Sequence, residues 1–87
     1  MMLHIDEQTR IEDPRVYGAD VVNDLRNLLT AGGLAQRDPH RENFYELGNS
    51  AHTFYIYISP MNGTVILLAK WVTSAKVACL PAAQVAA

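Results

Sequence analysis

The chain has 87 residues, of which 49% are hydrophobic and 18% charged, with a formal net charge of -2. This length fits one domain with a small core, and the hydrophobic fraction excludes a chain that is disordered throughout. The slightly acidic balance argues against a general polyanion binder, which normally carries a basic face. A single cysteine excludes an intramolecular disulfide, so no disulfide can reinforce the small core. Oligomerisation is a natural way to enlarge such a core.

The N-terminal sequence MMLHIDEQTR lacks the basic start and the apolar run of a signal peptide. The longest apolar stretch, residues 65–69, is far too short to cross a bilayer. These features predict a soluble, cytoplasmic protein. Residues 1–12 alternate loosely between apolar and polar types, which predicts either an irregular arm or an edge strand over residues 2–5.

An amphipathic helix is predicted over residues 13–33. Asp13 is a typical N-cap residue, and Pro14 suits the first helical position, where its missing N–H costs nothing. Gly33 in a left-handed conformation would end the helix and let Leu34 fold back onto it. At 100° per residue one side of this helix is apolar, and that side comprises Tyr17, Gly18, Val21, Val22, Leu25, Leu28 and Leu29.

Gly18 lies in the middle of the apolar side, where it costs about 1 kcal/mol relative to alanine. Two interpretations remain open. Either the helix begins after Gly18, or a bulky side chain such as Trp71 packs onto the bare backbone.

Three strands are predicted to follow as an antiparallel meander over residues 44–72. Asn62 and Gly63 form a strong hairpin signal between the last two of them. The predicted fold class is therefore α+β, with one amphipathic helix packed on a three-stranded or, with the N-terminal arm, a four-stranded antiparallel sheet. Residues 73–87 are predicted to form a short helix or a frayed tail. The polar connector spans residues 36–43, and the strands span residues 44–47, 52–59 and 64–72.

The hairpin is more apolar than a sheet with one solvated face requires. A two-residue and a four-residue turn assign the residues of the hairpin to the same two faces of the sheet. The face predicted to contact the helix contains Phe54, Ile56, Ile58, Val65, Leu67, Ala69 and Trp71. One helix cannot cover both faces, so the second face is predicted to be an interface unless the C-terminal tail covers it. Its predicted residues are Tyr55, Tyr57, Ile66, Leu68 and Lys70.

The sequence thus predicts a small non-enzymatic interaction domain that self-associates, with a homodimer favoured, through the second sheet face or an exposed edge strand. The first alternative is nucleic-acid binding through the sheet tyrosines and an arginine-containing loop, because aromatic rings can stack on bases. The second alternative is a small enzyme or ligand-binding domain whose site lies at an oligomer interface and includes His40 or His52.

No residue pattern predicts a catalytic site, a cofactor or a metal. The three histidines, His4, His40 and His52, lack the matched spacings of zinc ligands. Cys79 has no basic cluster to lower its pKa and no oriented base beside it. Gly32 and Gly33 end a helix rather than open one, which is the wrong polarity for a phosphate site.

The predicted order of helix, three-stranded meander and C-terminal helix resembles that of double-stranded RNA-binding domains. The resemblance rests on Tyr45-Glu46-Leu47, on His52-Thr53-Phe54 and on the sequence TSAKVA at residues 73–78. It implies RNA binding by a lysine-rich start of the last helix. In this chain only Lys76 matches that pattern, and Pro81 would interrupt the helix.

Overall fold

The computed structural model describes residues 1–73, which form a six-stranded sheet with one helix on one of its faces. The order of strands across the sheet is β1-β3-β4-β5-β6-β2. Apart from Thr73, the predicted C-terminal helix or tail lies outside the described residues. In chain order the elements are β1 (Met2–Leu3), β2 (Ile11–Glu12), α1 (Ala19–Thr30), β3 (Gly33–Arg37), β4 (Phe44–Gly48), β5 (His52–Ile58) and β6 (Val65–Val72).

The α+β class is confirmed, but the sheet is larger than predicted and it is mixed. Strands β3 to β6 form an antiparallel meander, whereas β2 pairs with β6 in parallel, with Ile11 opposite Val65. The N-terminal arm does contribute a short edge strand, because β1 pairs antiparallel with β3. Two strands before the helix and four after it also depart from the order that resembled RNA-binding domains.

Strand β3 was missed because its buried residues are small. Gly33 and Ala35 face the core, while Gln36 and Arg37 are exposed, so the segment carries no run of large apolar residues. A Cβ on Gly33 would lie 3.0 Å from the carbonyl oxygen of Leu28. The glycine therefore lets the strand approach the end of the helix closely.

The helix begins at Ala19, six residues after the predicted start. Asp13 does act as a cap, but of a turn: its carboxylate accepts hydrogen bonds from the backbone N–H groups of Tyr17 at 3.0 Å and Gly18 at 2.9 Å. These two bonds, that from Gly18 first, hold the pKa of Asp13 below its ordinary value. The prediction that Asp13 caps the helix is therefore wrong: Gly18 occupies the N-cap position without a side-chain cap, and Asp13 organises the loop before it.

The helix ends at Thr30, three residues before the predicted end, and the left-handed glycine lies one residue earlier than predicted. Gly32, rather than Gly33, has a positive φ of 83°, and its N–H donates to the carbonyl oxygen of Leu29 at 3.1 Å. Leu34 is 70% exposed and does not fold back onto the helix, because the chain has already entered β3.

The core lies between α1 and the sheet. Leu25 and Leu29 of the helix are fully buried against the large residues of β5 and β6, as the apolar side of the helix predicted. Burial of each such side chain stabilises the fold by roughly 1.5–3 kcal/mol. The sheet residues buried with them are Ala35, Leu47, Phe54, Ile56, Val65 and Leu67.

The β5–β6 turn has the four-residue form that the sequence allowed. The N–H of Ser59 donates to the carbonyl oxygen of Thr64 at 2.9 Å, and Gly63 adopts a φ of 73°. This turn pairs Ile58 with Val65. The predicted alternation is therefore correct from the turn as far as Leu67.

One extra residue in β6 reverses the alternation beyond Leu67. Ile56 pairs with Leu67, but Tyr55 pairs with Ala69, which leaves Leu68 as a bulge residue. Successive strand residues point to opposite faces, so Lys70 joins its partner Phe54 on the helix face. The assignments of Lys70 to the second face, and of Ala69 and Trp71 to the helix face, were therefore wrong.

We expect Gly18→Ala to destabilise the fold through backbone strain. Gly18 has a φ of 113° and a ψ of 165°, a conformation that costs an L-residue roughly 1–3 kcal/mol. A Cβ at this position would meet nothing within 4 Å, so no close packing is lost and Trp71 does not pack there. Urea denaturation would measure the loss.

The control is a D-alanine placed at residue 18 by chemical ligation. It adds the same methyl group but tolerates a positive φ, so its stability should stay close to that of the glycine form. An equal loss from both alanines would mean that the methyl group, rather than the backbone conformation, causes the effect.

Candidate functional site

The sheet face opposite α1 is the open face, and its residues lie in rows that run across the strands. One row, the aromatic row, contains Phe44, Tyr57, Ile66 and Glu12 on β4, β5, β6 and β2. The next row along the strands contains Glu46, Tyr55 and Ala69. Since α1 is the one helix among residues 1–73 and packs on the other side, no described element covers these rows.

Phe44 lies at the centre of an aromatic cluster on this face. Its ring centroid is 4.9 Å from that of Tyr57 and 5.9 Å from that of Tyr55. The guanidinium carbon of Arg41 lies 5.3 Å from the Phe44 ring centroid, within the range of a cation–π interaction. All three rings are half-buried, so only part of each aromatic side chain is accessible on the open face.

Asp38 fixes the β3–β4 loop to the edge of this cluster. The hydroxyl of Tyr55 donates to Asp38 Oδ2 at 2.6 Å, and the N–H of His40 donates to Oδ1 at 2.8 Å. The bond from Tyr55, followed by that from His40, holds the pKa of Asp38 below its ordinary value. The same bond to Asp38 raises the pKa of Tyr55.

The far end of the aromatic row carries a second pair of charges. Arg10 Nη2 lies 3.2 Å from Glu12 Oε1, and the two side chains are 74% and 42% exposed. A hollow of about 270 Å³ is bordered by this pair, Tyr57 and Ile66. Each end of the row therefore presents one arginine and one carboxylate, with the apolar rings and Ile66 between them.

A shallow cleft of about 470 Å³ lies at the other end of the open face, bordered by Leu34, Gly48, Thr53 and Thr73 among others. A Cβ on Gly48 would lie 2.5 Å from the carbonyl oxygen of His52, so this position cannot carry a side chain that would fill the space. Thr73 Oγ1 lies 2.9 Å from Thr53 Oγ1.

The edges of the sheet offer little free backbone. Strand β2 covers the start of β6, and further along β6 the N–H of Lys70 donates to the hydroxyl of Tyr17 at 3.2 Å. The Lys70 ammonium also lies 5.9 Å from the Tyr17 ring centroid. At the opposite edge, β1 is two residues long. Short or capped edges resist strand addition, although β2 covers only Val65 and Ile66 of β6, and β1 covers only Gly33 and Leu34 of β3.

The structure places three of the predicted interface residues, Tyr55, Tyr57 and Ile66, on the open face. Leu68 is the half-buried bulge residue, and Lys70 lies on the helix face. The interface itself stays a prediction. The sequence interpretation missed three residues of the site, which are Phe44, Arg41 and Glu12. The predicted four-residue turn between β4 and β5 would have placed Phe44 on the same face as Tyr55 and Tyr57, but not opposite its observed partner Tyr57.

Other site chemistry is sparse in the described range. Within residues 1–73 no three histidine, cysteine or acidic side chains come together as a possible metal site. His4 and His40 are exposed, whereas His52 is half-buried with its ring centroid 6.4 Å from that of Phe54. A site containing His40 or His52 at an oligomer interface stays a prediction. None of the described helical residues form a segment long and apolar enough to span a membrane.

The sequence matches no protein-family model, and no curated protein is similar to it. Any functional conclusion therefore rests on the geometry of the open face.

We expect Tyr55→Phe to raise the pKa of Asp38 towards its ordinary value, because the substitution removes the largest cause of the lowered pKa. A carboxylate with a lowered folded-state pKa stabilises the fold above its unfolded pKa, and this stability is lost as the pH falls through the folded pKa. The acid-side loss of stability should therefore shrink in the variant. Carboxyl ¹³C NMR titration of Asp38 would measure the pKa shift.

Tyr57→Phe is the matched control, since it removes the hydroxyl of the neighbouring ring and should leave the Asp38 titration unchanged. An unchanged Asp38 pKa in Tyr55→Phe would show that the hydrogen bond does not control this carboxylate.

Proposed function

We propose that this protein is a small interaction domain that forms homodimers by packing two open faces together. The observation that supports the proposal is the half-buried cluster of Phe44, Tyr55, Tyr57 and Ile66 on a face that α1 cannot reach. Burial of apolar surface contributes about 25 cal/mol per Å² before the costs of association are subtracted. Two sheets packed face to face lie about 10 Å apart, with side chains interdigitated between them.

The size of the face supports a weak dimer. The four long strands span about 19 Å across the sheet and about 20 Å along it, or roughly 400 Å² per copy in projection. A standard protein interface buries about 800 Å² on each partner. The dimer therefore belongs to the small, transient class of interface, with a dissociation constant expected in the micromolar range.

The charges on the face favour a second copy over a partner of strong charge. A face with charges of one sign would favour a partner of the opposite sign. Here Arg41 and Asp38 lie at one end of the aromatic row, and Arg10 and Glu12 lie at the other. Such a balanced surface can meet a copy of itself without net repulsion.

Light scattering on the full chain tests the proposal. Between about 5 and about 500 µM, a range that brackets micromolar affinity, the apparent mass should rise from 9.6 kDa towards twice that value. Tyr57→Glu should hold the chain as a monomer, because it brings a buried charge into the apolar centre of the interface. The matched control is Val16→Glu, which changes a residue that is 81% exposed in the loop before α1.

A full chain that stays monomeric throughout this range would refute the proposal. If a chain ending at Thr73 dimerised while the full chain did not, residues 74–87 would be the occupant of the open face. If Tyr57→Glu and the wild type associated equally, the contact would lie elsewhere.

The second candidate function is binding of single-stranded nucleic acid, which is favoured by the position of Arg41 over Phe44 beside two tyrosines. Stacking on such rings contributes about 1–3 kcal/mol per base. The candidate predicts that a labelled mixed-sequence oligonucleotide binds at low salt, more weakly as salt rises, and more weakly still after Arg41→Ala. Unchanged fluorescence anisotropy at low salt would exclude it.

A further inference from the structure

The cleft of about 470 Å³ lies on the open face at the end away from the β5–β6 turn. Gly48, Thr53 and Trp71 lie opposite one another there across β4, β5 and β6, and Leu34 of β3 borders the same space. None of these four residues is charged, whereas each end of the aromatic row has an arginine and a carboxylate. This end of the open face therefore suits an apolar occupant.

Large apolar side chains at the β1–β3 end of the cleft are exposed. Leu34 is 70% exposed, and Met2, its partner across the β1–β3 pair, is 65% exposed. Met1, which also borders the cleft, is 61% exposed. Exposed apolar surface around a concave space is typical of a contact site.

The described part of the chain ends at this cleft. The N–H of Thr73 donates to the carbonyl oxygen of Ala51 at 3.1 Å, and its hydroxyl donates to the carbonyl oxygen of Asn49 at 2.9 Å. Because a hydroxyl has one proton to donate, the 2.9 Å bond between the two threonine hydroxyls is donated by Thr53. Three hydrogen bonds thus fix Thr73 at the border of the cleft.

We propose that the C-terminal segment, residues 74–87, occupies this cleft in the same copy of the chain. The large apolar residues of the segment are Val77, Leu80 and Val85, and its one charged residue is Lys76. An apolar segment of this kind matches the uncharged row and the exposed side chains at the end of the cleft.

The length and the charge of the segment fit the cleft. Three strand spacings, or about 14 Å, separate β6 from β3. An extended chain spans about 3.3 Å per residue, so the segment is long enough to cross from Thr73 to Leu34. The charged side chain among the described residues that border the cleft is Glu46, whose sign is opposite to that of Lys76.

The attachment at Thr73 favours this segment over a second copy of the chain as the occupant. A short linker holds a tethered group at an effective concentration of about 1 mM, which exceeds the micromolar concentrations at which separate copies meet. The inference goes beyond the proposed self-association and leaves the aromatic row free for it.

A nitroxide spin label on Cys79, the one cysteine of the chain, tests the proposal. The unpaired electron broadens the NMR signals of nearby amides. In the full chain labelled with ¹⁵N, the amide signals of Leu34 and Gly48 should broaden. The amide of Met61, in the turn at the far end of the sheet, should not.

Two variants remove apolar surface from the contact, one on each side of it. Leu80→Ser and Leu34→Gln should each lower the docking equilibrium constant at least about tenfold, so that the broadening at Gly48 is largely lost. The matched controls are Ala83→Ser, a much smaller change in the segment, and Met61→Gln, at a residue that is 93% exposed. Both controls should keep the broadening, and the same spectra show whether each variant is folded.

Three results would overturn the proposal. One is the absence of broadening in the wild type. Another is equal broadening in the wild type, Leu80→Ser and Leu34→Gln, because attachment at Thr73 alone would produce it. The third is broadening of ¹⁵N-labelled chains by separate spin-labelled chains, because the segment would then occupy the cleft of a second copy.

The outcome is distinguishable from that of the proposed function. A chain that stays monomeric and shows the expected broadening would refute the homodimer and uphold the docked segment. A homodimer without the broadening would do the reverse.

Discussion

The structure depends on the geometric mismatch between one helix and a six-stranded sheet. Helix α1 has 12 residues and is therefore about 18 Å long, so it can cover the centre of only one face. The large fully buried residues of β5 and β6 lie on that face and meet Leu25 and Leu29. The aromatic cluster lies on the other face, where no helix or strand of residues 1–73 packs over it and its rings are half-buried.

The bulge at Leu68 links the faces of the sheet to the protection of its edge. Because of the extra residue, Lys70 lies on the helix face, where its ammonium reaches the Tyr17 ring. The backbone N–H of Lys70 points outward from the edge of β6 and donates to the Tyr17 hydroxyl. Tyr17 in turn belongs to the turn that Asp13 caps. A single inserted residue thus moves a charge from the open face to the helix face and brings one backbone N–H of the β6 edge to the Tyr17 hydroxyl.

Sequence reasoning predicted the elements whose burial is carried by large side chains. Alternation along β5 and the four-residue turn placed Tyr55, Tyr57 and Ile66 correctly. Sequence reasoning failed where an element is determined by contacts with residues distant in the sequence or by a feature without a sequence signature. Strand β2 is two residues long and is fixed only by its parallel pairing with β6, so Glu12 could not be placed. The bulge has no signature in the sequence VILLAKW, and Asp13 with Pro14 caps a turn instead of the helix.

The placement of the core sets what the proposed dimer would add to the stability of each copy. Every fully buried large side chain of the described residues lies on the helix face, so a second copy adds nothing to the core of the first. In the proposed dimer each copy keeps the core that it has alone, and association would stabilise the folded state by mass action. The Asp38–Tyr55 hydrogen bond and the stacking on Phe44 constrain the side chains of the open face, and such constraint lowers the ordering cost of binding. This preorganisation supports the proposal that a face of moderate size serves as an interface.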